Sequence, residues 1–557
     1  MAGSAAGADP GNARSQVAMS ANLGKKISTQ SERWCRMLSD WGGRFSLQQR
    51  NKDDRKPRNG GLGTTRPTVF NYLAQTGYWL IAALLMAGVS VGRAELRLPA
   101  VFSDHMVLQR GGPVPVWGWA DPGETITVTL EDDQQATMAG ADGRWLVRLK
   151  DHPAGGPFVL TIAGQTTRTL ADVYVGEVWV CSGQSNMQML LGKSERSWIA
   201  GGVCEFEKEI ADSDYPQIRM LTVPFDDKTM VFEPKHDSGG NWIVCSPQTA
   251  GKFAAIPFFF GRGLHRKLKV PVGLLNVTLG GSCVEAWISN LAARREPSLK
   301  SAMTEWDAIW AVYQQNATNT PPPVNPINHR STPTVLYNGM LAPLVPYAMK
   351  GVIWYQGEAN AGQAEAYSDR FQALIRDWRR QWGGSEFPFL FVQLAPIGGE
   401  SYSRLREAQR WALATPNTAM AVCVDTDVGL HPLNKRPVGE RLALAARGLA
   451  YGEKIEYSGP LPERATISDG AVRVSFSHVG TGLATADRGE LKSFELAGAD
   501  GKFVAAAARI DGQQVVVESA KITQPAAVRY GWIDGRPRNL INHDGLPGSP
   551  FQLDVGR

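Results

Sequence analysis

Gly176-Glu-Val-Trp-Val-Cys-Ser-Gly-Gln-Ser-Asn-Met-Gln188 changes character halfway along. The run from Val173 to Val180 is apolar and rich in Val, Tyr and Trp, the composition of a buried strand. Cys181 to Asn186 is small and polar, and from Met187 to Leu191 an apolar pattern resumes that suits the opening of a helix. A strand running into a glycine-containing turn and then a helix is where an α/β sheet presents a nucleophile. Helical N–H groups lie beside it and can stabilise an oxyanion. Ser185 is the candidate nucleophile. The competing reading of the same residues is a glycine turn whose serines cap the next helix.

Outward from this segment, residues 171–450 alternate strand-like and helical patterns, which predicts a three-layer α/β domain. Strands are expected at Val270–Thr278, Gly351–Tyr355, Phe387–Leu394 and Ala419–Asp425. Helices are expected at Phe253–Lys269, Tyr367–Trp382, Arg404–Ala414 and Val438–Leu449. Three strand ends then carry Ser185, Gly281 (in Gly280-Gly-Ser282) and Gln356 (in Gln356-Gly-Glu-Ala-Asn360). Ligands of open parallel sheets bind at the carboxyl ends of the strands, so these three can share one crevice. On either side the pattern is short-stranded and rich in glycine turns. Residues 95–170 read as an N-terminal β-sandwich module and residues 451–557 as a C-terminal β module.

With 557 residues the chain is long enough for about three or four domains. Its formal charge of +5 is confined to the leader: residues 1–70 hold 12 Lys+Arg against 5 Asp+Glu, and the remainder 46 against 48. The slightly acidic body offers no basic surface for nucleic acid. Residues 1–70 lack apolar periodicity and read as disordered, and this long preface suggests a start assigned too far upstream. Residues 71–94 contain the apolar run Tyr78–Val91 followed by Gly92-Arg-Ala94, the pattern of a signal peptide cleaved after Ala94. That run is shorter than the roughly 20 apolar residues of a membrane span, so no stable span is expected in the mature chain, and a secreted or periplasmic location is.

A serine hydroxyl needs a base, and histidine is the side chain that titrates near neutrality. His431 sits in Asp425-Thr-Asp-Val-Gly-Leu-His-Pro-Leu-Asn-Lys435, a loop between a strand and a helix. The other histidines, His105 among them, read as structural and are too scattered to suggest a metal. The six cysteines, without any Cys-x-x-Cys, form no zinc pattern, and Cys204 with Cys245 is the one pairing open after export.

Gly183-Gln184-Ser185-Asn186-Met187 resembles the nucleophile block of the sialate O-acetylesterase family, a branch of the SGNH (GDSL-like) hydrolases. Ser103-Asp-His-Met-Val-Leu-Gln109 and Asn539–Phe551 are similar to that family's opening and ending, so the matches run from about Phe102 to Phe551. The Gly-x-Ser-x-Gly elbow of α/β-hydrolases is not matched, because Met187 stands at its second glycine. The resemblance implies an SGNH-hydrolase-like (flavodoxin-like) core with Ser185 as nucleophile and His431 as base. It also implies an oxyanion hole of Ser185 N–H, Gly281 N–H and the Gln356 amide, and no metal or cofactor. Gln356-Gly357-Glu358 would hold the family's third block, where other SGNH enzymes carry Gly-x-Asn-Asp. The family's aspartate-serine pair is Gln184-Ser185 here, and its late Asp-x-x-His block is altered, since Val428 stands three residues before His431. Asp427 and Asp425 are the acids available to orient the imidazole, with a Ser–His dyad as the alternative.

Glu358 and Asn360 are expected either to bind a sugar hydroxyl or to support a loop. Trp287, Tyr337, Trp354 and Tyr355 are expected either to stack on sugar or to fill the core. The function implied is removal of O-acetyl groups from carbohydrate, with an O-acetylated carbohydrate as partner. Three rivals stand beside it: an acetyl xylan- or pectin-type deacetylase, a non-catalytic carbohydrate-binding protein, and a glycosidase with Glu358 as acid.

Overall fold

The quoted segment forms the end of one long strand, Thr167–Gly183 (β1). Its first six residues are exposed or half-buried, and from Val175 onward every position is buried. That switch marks its passage into the middle of a parallel sheet, where both faces are covered and a strand reads as a continuous apolar run. In this computed structural model the residues described are 95–556 apart from 195–200, 227–228, 321–324 and 327–328. The expected leader (1–70) and signal peptide (71–94) lie outside them.

The sheet around β1 contains Tyr215–Thr222 (β2), Trp242–Cys245 (β3), Val272–Thr278 (β4), Gly351–Tyr355 (β5), Phe389–Val392 (β6) and Thr418–Ala421 (β7). Their order is β7-β6-β5-β1-β4-β2-β3. Neighbours run parallel except β3, which is antiparallel to β2, so the central sheet is mixed. The longer helices are Ala255–Leu268 (α1), Lys300–Asn316 (α2), Ala364–Gln381 (α3), Glu400–Trp411 (α4) and Arg436–Leu449 (α5). α1 packs on α5 and α3 on α4. Every expected strand and helix of residues 250–450 is present, Gly351–Tyr355 with the expected ends and the others with shifted ones. β7 stops at Ala421, four residues short, because residues 422–435 leave the sheet as the loop of His431, and α4 begins four residues early at Glu400.

β1 and β5 approach closely at Gly183. Gly183 has φ +132° and pairs with Tyr355, and a Cβ on it would stand 2.2 Å from the Tyr355 carbonyl oxygen. Only glycine fits there, and it lets the chain turn sharply two residues before Ser185.

Before β1, Val114–Trp119 pairs with Arg144–Leu149, while Thr125–Leu130 pairs with both Asp133–Met138 and Gly155–Ala163. Gly155–Ala163 then pairs with the first half of β1. The expected boundary at residue 170 therefore falls inside a strand, which continues past the left-handed Asp172 (φ +55°). One hydrophobic cluster accordingly runs from Leu96 to Ala446. The C-terminal strands have a second cluster, from Ala465 to Phe551, between two four-stranded antiparallel sheets. This part is fastened to the central sheet by buried polar contacts. Arg406 of α4 meets Asp534 at 2.8 Å with both side chains almost fully enclosed, and Gln393 donates to Ser549 Oγ at 2.9 Å.

The pairing open to Cys204 and Cys245 is not made. Both thiols are free, Cys204 at the surface and Cys245 buried with its Sγ directed at the Ser213 carbonyl.

Candidate active site

Ser185 is the first residue of a short helix, Ser185–Gln188, that begins directly beyond the carboxyl end of β1. Tight packing below Gly183 and the helical turn above it hold the side chain in place, and the residue is only 6 % exposed. Across the crevice, the loop after β7 brings His431 to it: Nε2 lies 3.0 Å from Ser185 Oγ. The two residues are 246 positions apart, and that distance is a hydrogen bond suited to proton transfer. Burial, and secondarily the nearby Lys435 ammonium, lower the imidazole pKa to about 4. The His431 imidazole is thus neutral at any pH near 7.

The turn after β4 forms the next wall. A side chain on Gly280 would begin 3.4 Å from Ser185 Cβ, so the turn lies against the serine. Gly280 N–H is engaged by Gln188 Oε1 at 3.0 Å. Gly281 follows in a left-handed conformation (φ +71°). Among the described residues, neither Gly281 N–H nor Ser185 N–H has a protein acceptor. Arg330, which the sequence reading passed over, donates from Nη1 to the Gly280 carbonyl at 2.7 Å and places a positive charge at this rim.

Gln356 does not join these donors. Its Nε2 donates to the Ser282 carbonyl at 3.0 Å and to Asn360 Oδ1 at 2.7 Å, while its Oε1 accepts from Tyr367. The side chain is fully buried, so the expected third oxyanion donor is a brace between two turns. Asn360 is likewise internal: Oδ1 also accepts from Val284 N–H, and Nδ2 donates to Glu285 at 2.9 Å. The expectation of loop support, not sugar binding, fits it. Trp287, Tyr337, Trp354 and Tyr355 are all buried and pack in the core.

Glu358 is buried beside the serine turn and accepts from Asn186 Nδ2 at 2.5 Å. Burial holds its carboxyl above the usual range. The turn that carries it is fixed by Gln184, whose Oε1 accepts the N–H groups of Gly357 and Ala359, each at 3.3 Å. A glycosidase acid must reach the glycosidic oxygen, and a carboxylate enclosed against Asn186 does not have that freedom.

The two aspartates separate cleanly. Asp425 forms a two-pronged pair with Arg441 of α5, at 2.6 Å on each side. Asp427 accepts the N–H groups of Leu433 (3.1 Å) and Asn434 (3.0 Å), and so fixes the loop just past His431. His105 is far away in the N-terminal β region, bonded to Asp172 at 2.7 Å. Among the described residues no group of His, Cys, Asp and Glu side chains could hold a metal ion, and no helix is long and apolar enough to cross a membrane.

Residues 325–437 match the family model described as carbohydrate esterase, sialic acid-specific acetylesterase. That span includes Gln356, Glu358 and His431. The chain is 32% identical over 448 residues to sialate O-acetylesterase of Rattus norvegicus, covering 69% of this chain and 79% of the relative. The chain belongs to the sialate O-acetylesterase family. Against the Homo sapiens member it is also 32% identical, over 431 residues that cover 69% of this chain and 77% of the relative. Among solved structures, a carbohydrate acetylesterase from Xanthomonas citri is similar at 38% identity with TM-score 0.71, covering 82% of this chain and 99% of that one. As a member of this family the protein is a carboxylic ester hydrolase.

Proposed function

We propose that this chain removes O-acetyl groups from carbohydrate, O-acetylated sialic acids and related sugars being the substrate class, by two-step acyl transfer on Ser185. The observation that carries this is the 3.0 Å contact of Ser185 Oγ with His431 Nε2, beside two N–H groups that have no protein acceptor. His431 Nε2 takes the hydroxyl proton as Oγ bonds to the acetyl carbon, and the carbonyl electrons move onto its oxygen. The N–H groups of Ser185 and Gly281 meet that oxyanion. Collapse of the adduct expels the sugar oxygen, which leaves with the proton from the imidazolium. Water then attacks the acetyl-serine, its proton passing to His431, and acetate departs as Oγ regains a proton. Asp427 is the acid we assign to the His431 loop, acting through the Leu433 and Asn434 amides.

We also read the central sheet and its helix pairs as an SGNH-type three-layer core flanked by β modules at 95–170 and 451–557. The continuous β1 makes the first of these an extension of the core. Export to the periplasm or beyond is part of the proposal, supported by the run Tyr78–Val91 and Ala94.

The test is acetate release from a chromogenic acetyl ester and from O-acetylated sugars by the parent, Ser185→Ala and His431→Ala. Loss in both variants with unchanged melting curves is expected. Full activity in either folded variant would overturn the assignment of that residue.

A further inference from the structure

The site contains a buried cation for which the two-step reaction has no direct use. Lys435 is 1 % exposed, stands four residues beyond His431, and opens α5. Its Nζ donates to Asn186 Oδ1 at 2.5 Å and lies 5.6 Å from the centre of the Tyr355 ring. Asn186 immediately follows the nucleophile. Its Nδ2 donates to Glu358 Oε1 at 2.5 Å and to the Leu430 carbonyl at 2.9 Å, and Leu430 immediately precedes His431. One side chain adjoining Ser185 thus grips the base-bearing loop on both sides of the base.

We propose that Lys435 is a positioning residue for the Ser185–His431 pair, clamping the two segments together through Asn186, with Glu358 as the buried counter-anchor. This rests on Ser185 and His431 acting as nucleophile and base. The logic lies in the polarity of the amide. An ammonium only donates and a carboxylate only accepts, so with Lys435 on Oδ1 and Glu358 on Nδ2 the Asn186 side chain has one permitted orientation. A flip would set NH2 against ammonium and carbonyl oxygen against carboxylate. Only in the observed orientation does Nδ2 also reach the Leu430 carbonyl.

Burying two charges is costly, and both groups register it. Burial brings Lys435 down to about 7 and raises Glu358, each charge partly restoring the other. Glu358 Oε2 is buried without a hydrogen-bond partner, which leaves the Asn186 bond as this carboxylate's side-chain anchor. The other groups facing Lys435 are Cys423 beyond β7 and Asp427 in its own loop, while Arg441 of α5 is occupied by Asp425. A hydrophobic side chain would fill this space at lower cost. The retained charge pair is therefore accounted for by orientation of Asn186, not by stability.

The experiment measures kcat and KM for a chromogenic acetyl ester across pH for the full chain, Lys435→Met, Glu358→Gln and Glu358→Ala, with melting curves for each. Lys435→Met is expected to lower kcat roughly 10- to 100-fold with KM within about twofold, the signature of lost alignment. Its acid limb should move up only in part, because burial, the larger cause of the lowered His431 value, remains. Glu358→Gln, which still offers an acceptor to Asn186 Nδ2, should retain most of kcat, whereas Glu358→Ala should not. A folded Lys435→Met with parental kcat would overturn the proposal. Should Lys435→Met not fold, the Glu358 pair decides: Gln active and Ala impaired supports the clamp, and equal loss in both overturns it. Ser185→Ala separates the levels. If it retains activity, the functional reading falls and the clamp with it; if it is inactive while Lys435→Met is unaffected, only the clamp falls.

Discussion

Lowering the assay from about pH 6.5 to about pH 5.5, where Lys435 keeps its charge, should leave kcat/KM almost unchanged. An imidazole with the ordinary pKa of about 6.5 would fall from roughly one-half to roughly one-tenth neutral, a loss of about fivefold in active base. In His431, burial and then the Lys435 charge bring the value to about 4. Roughly 97% of the base then survives at pH 5.5, and half-activity falls near pH 4. The same shift has a stability counterpart. The folded value lies below the unfolded one, so between about pH 6.5 and pH 4 the unfolded chain binds more protons and stability falls as pH falls. For a partly exposed ring the loss is roughly 1–2 kcal/mol. The assay is direct quantitation of released acetate at subsaturating substrate, since a phenolate chromophore titrates in the same range. An acid limb in kcat/KM centred at pH 6 or above would refute the reasoning, because it would mean that His431 is solvated like a free imidazole.

Gly183→Ala forces a Cβ to within 2.2 Å of the Tyr355 carbonyl in a left-handed backbone. A loss of roughly 2–4 kcal/mol in denaturant melts, with activity falling in proportion to folded protein or faster, is the expected outcome. Asp425→Asn should weaken only the Arg441 pair, costing about 1 kcal/mol or less with kcat within about twofold. Asp427→Ala frees the two amides beyond His431 and should lower kcat about tenfold; the reverse ranking in kinetics would reassign the acid. Arg406→Met strands the Asp534 carboxylate, which keeps Arg538 as a partner, in the seam to the C-terminal sheets. Calorimetry should record a loss of roughly 2–4 kcal/mol there, whereas acetate release per folded molecule should be unchanged.

Much of the site was legible in one dimension. Val173–Val180 is apolar apart from Glu177 because a central parallel strand is covered on both faces, and the polar break at Cys181–Asn186 marks where the chain leaves the sheet. The same logic located Gly281 and the His431 loop at strand ends. Periodicity and turn chemistry are local, so they survive without knowledge of the neighbours. Gln356 was also at the right strand end, yet its amide turned inward to Ser282 and Asn360. Residue type and position alone do not say which of several nearby carbonyls an amide will find. Trp287, Tyr337, Trp354 and Tyr355 illustrate the same limit, since an aromatic ring suits a sugar or a core equally well.

The sequence by itself determined the strand and glycine turn that lead to Ser185 and the strands and helices of residues 250–450, because each depends on contiguous residues. The tertiary structure alone decided the matters that depend on which groups the folded chain brings within reach of one another. It gave Asp425 to Arg441 and Asp427 to the loop amides, left Cys204 and Cys245 apart, and joined Asn186 to Glu358 and Lys435, positions 172 and 249 residues away. Hydrogen bonds and ion pairs act over a few ångströms, and only the folded chain sets which groups come within that range.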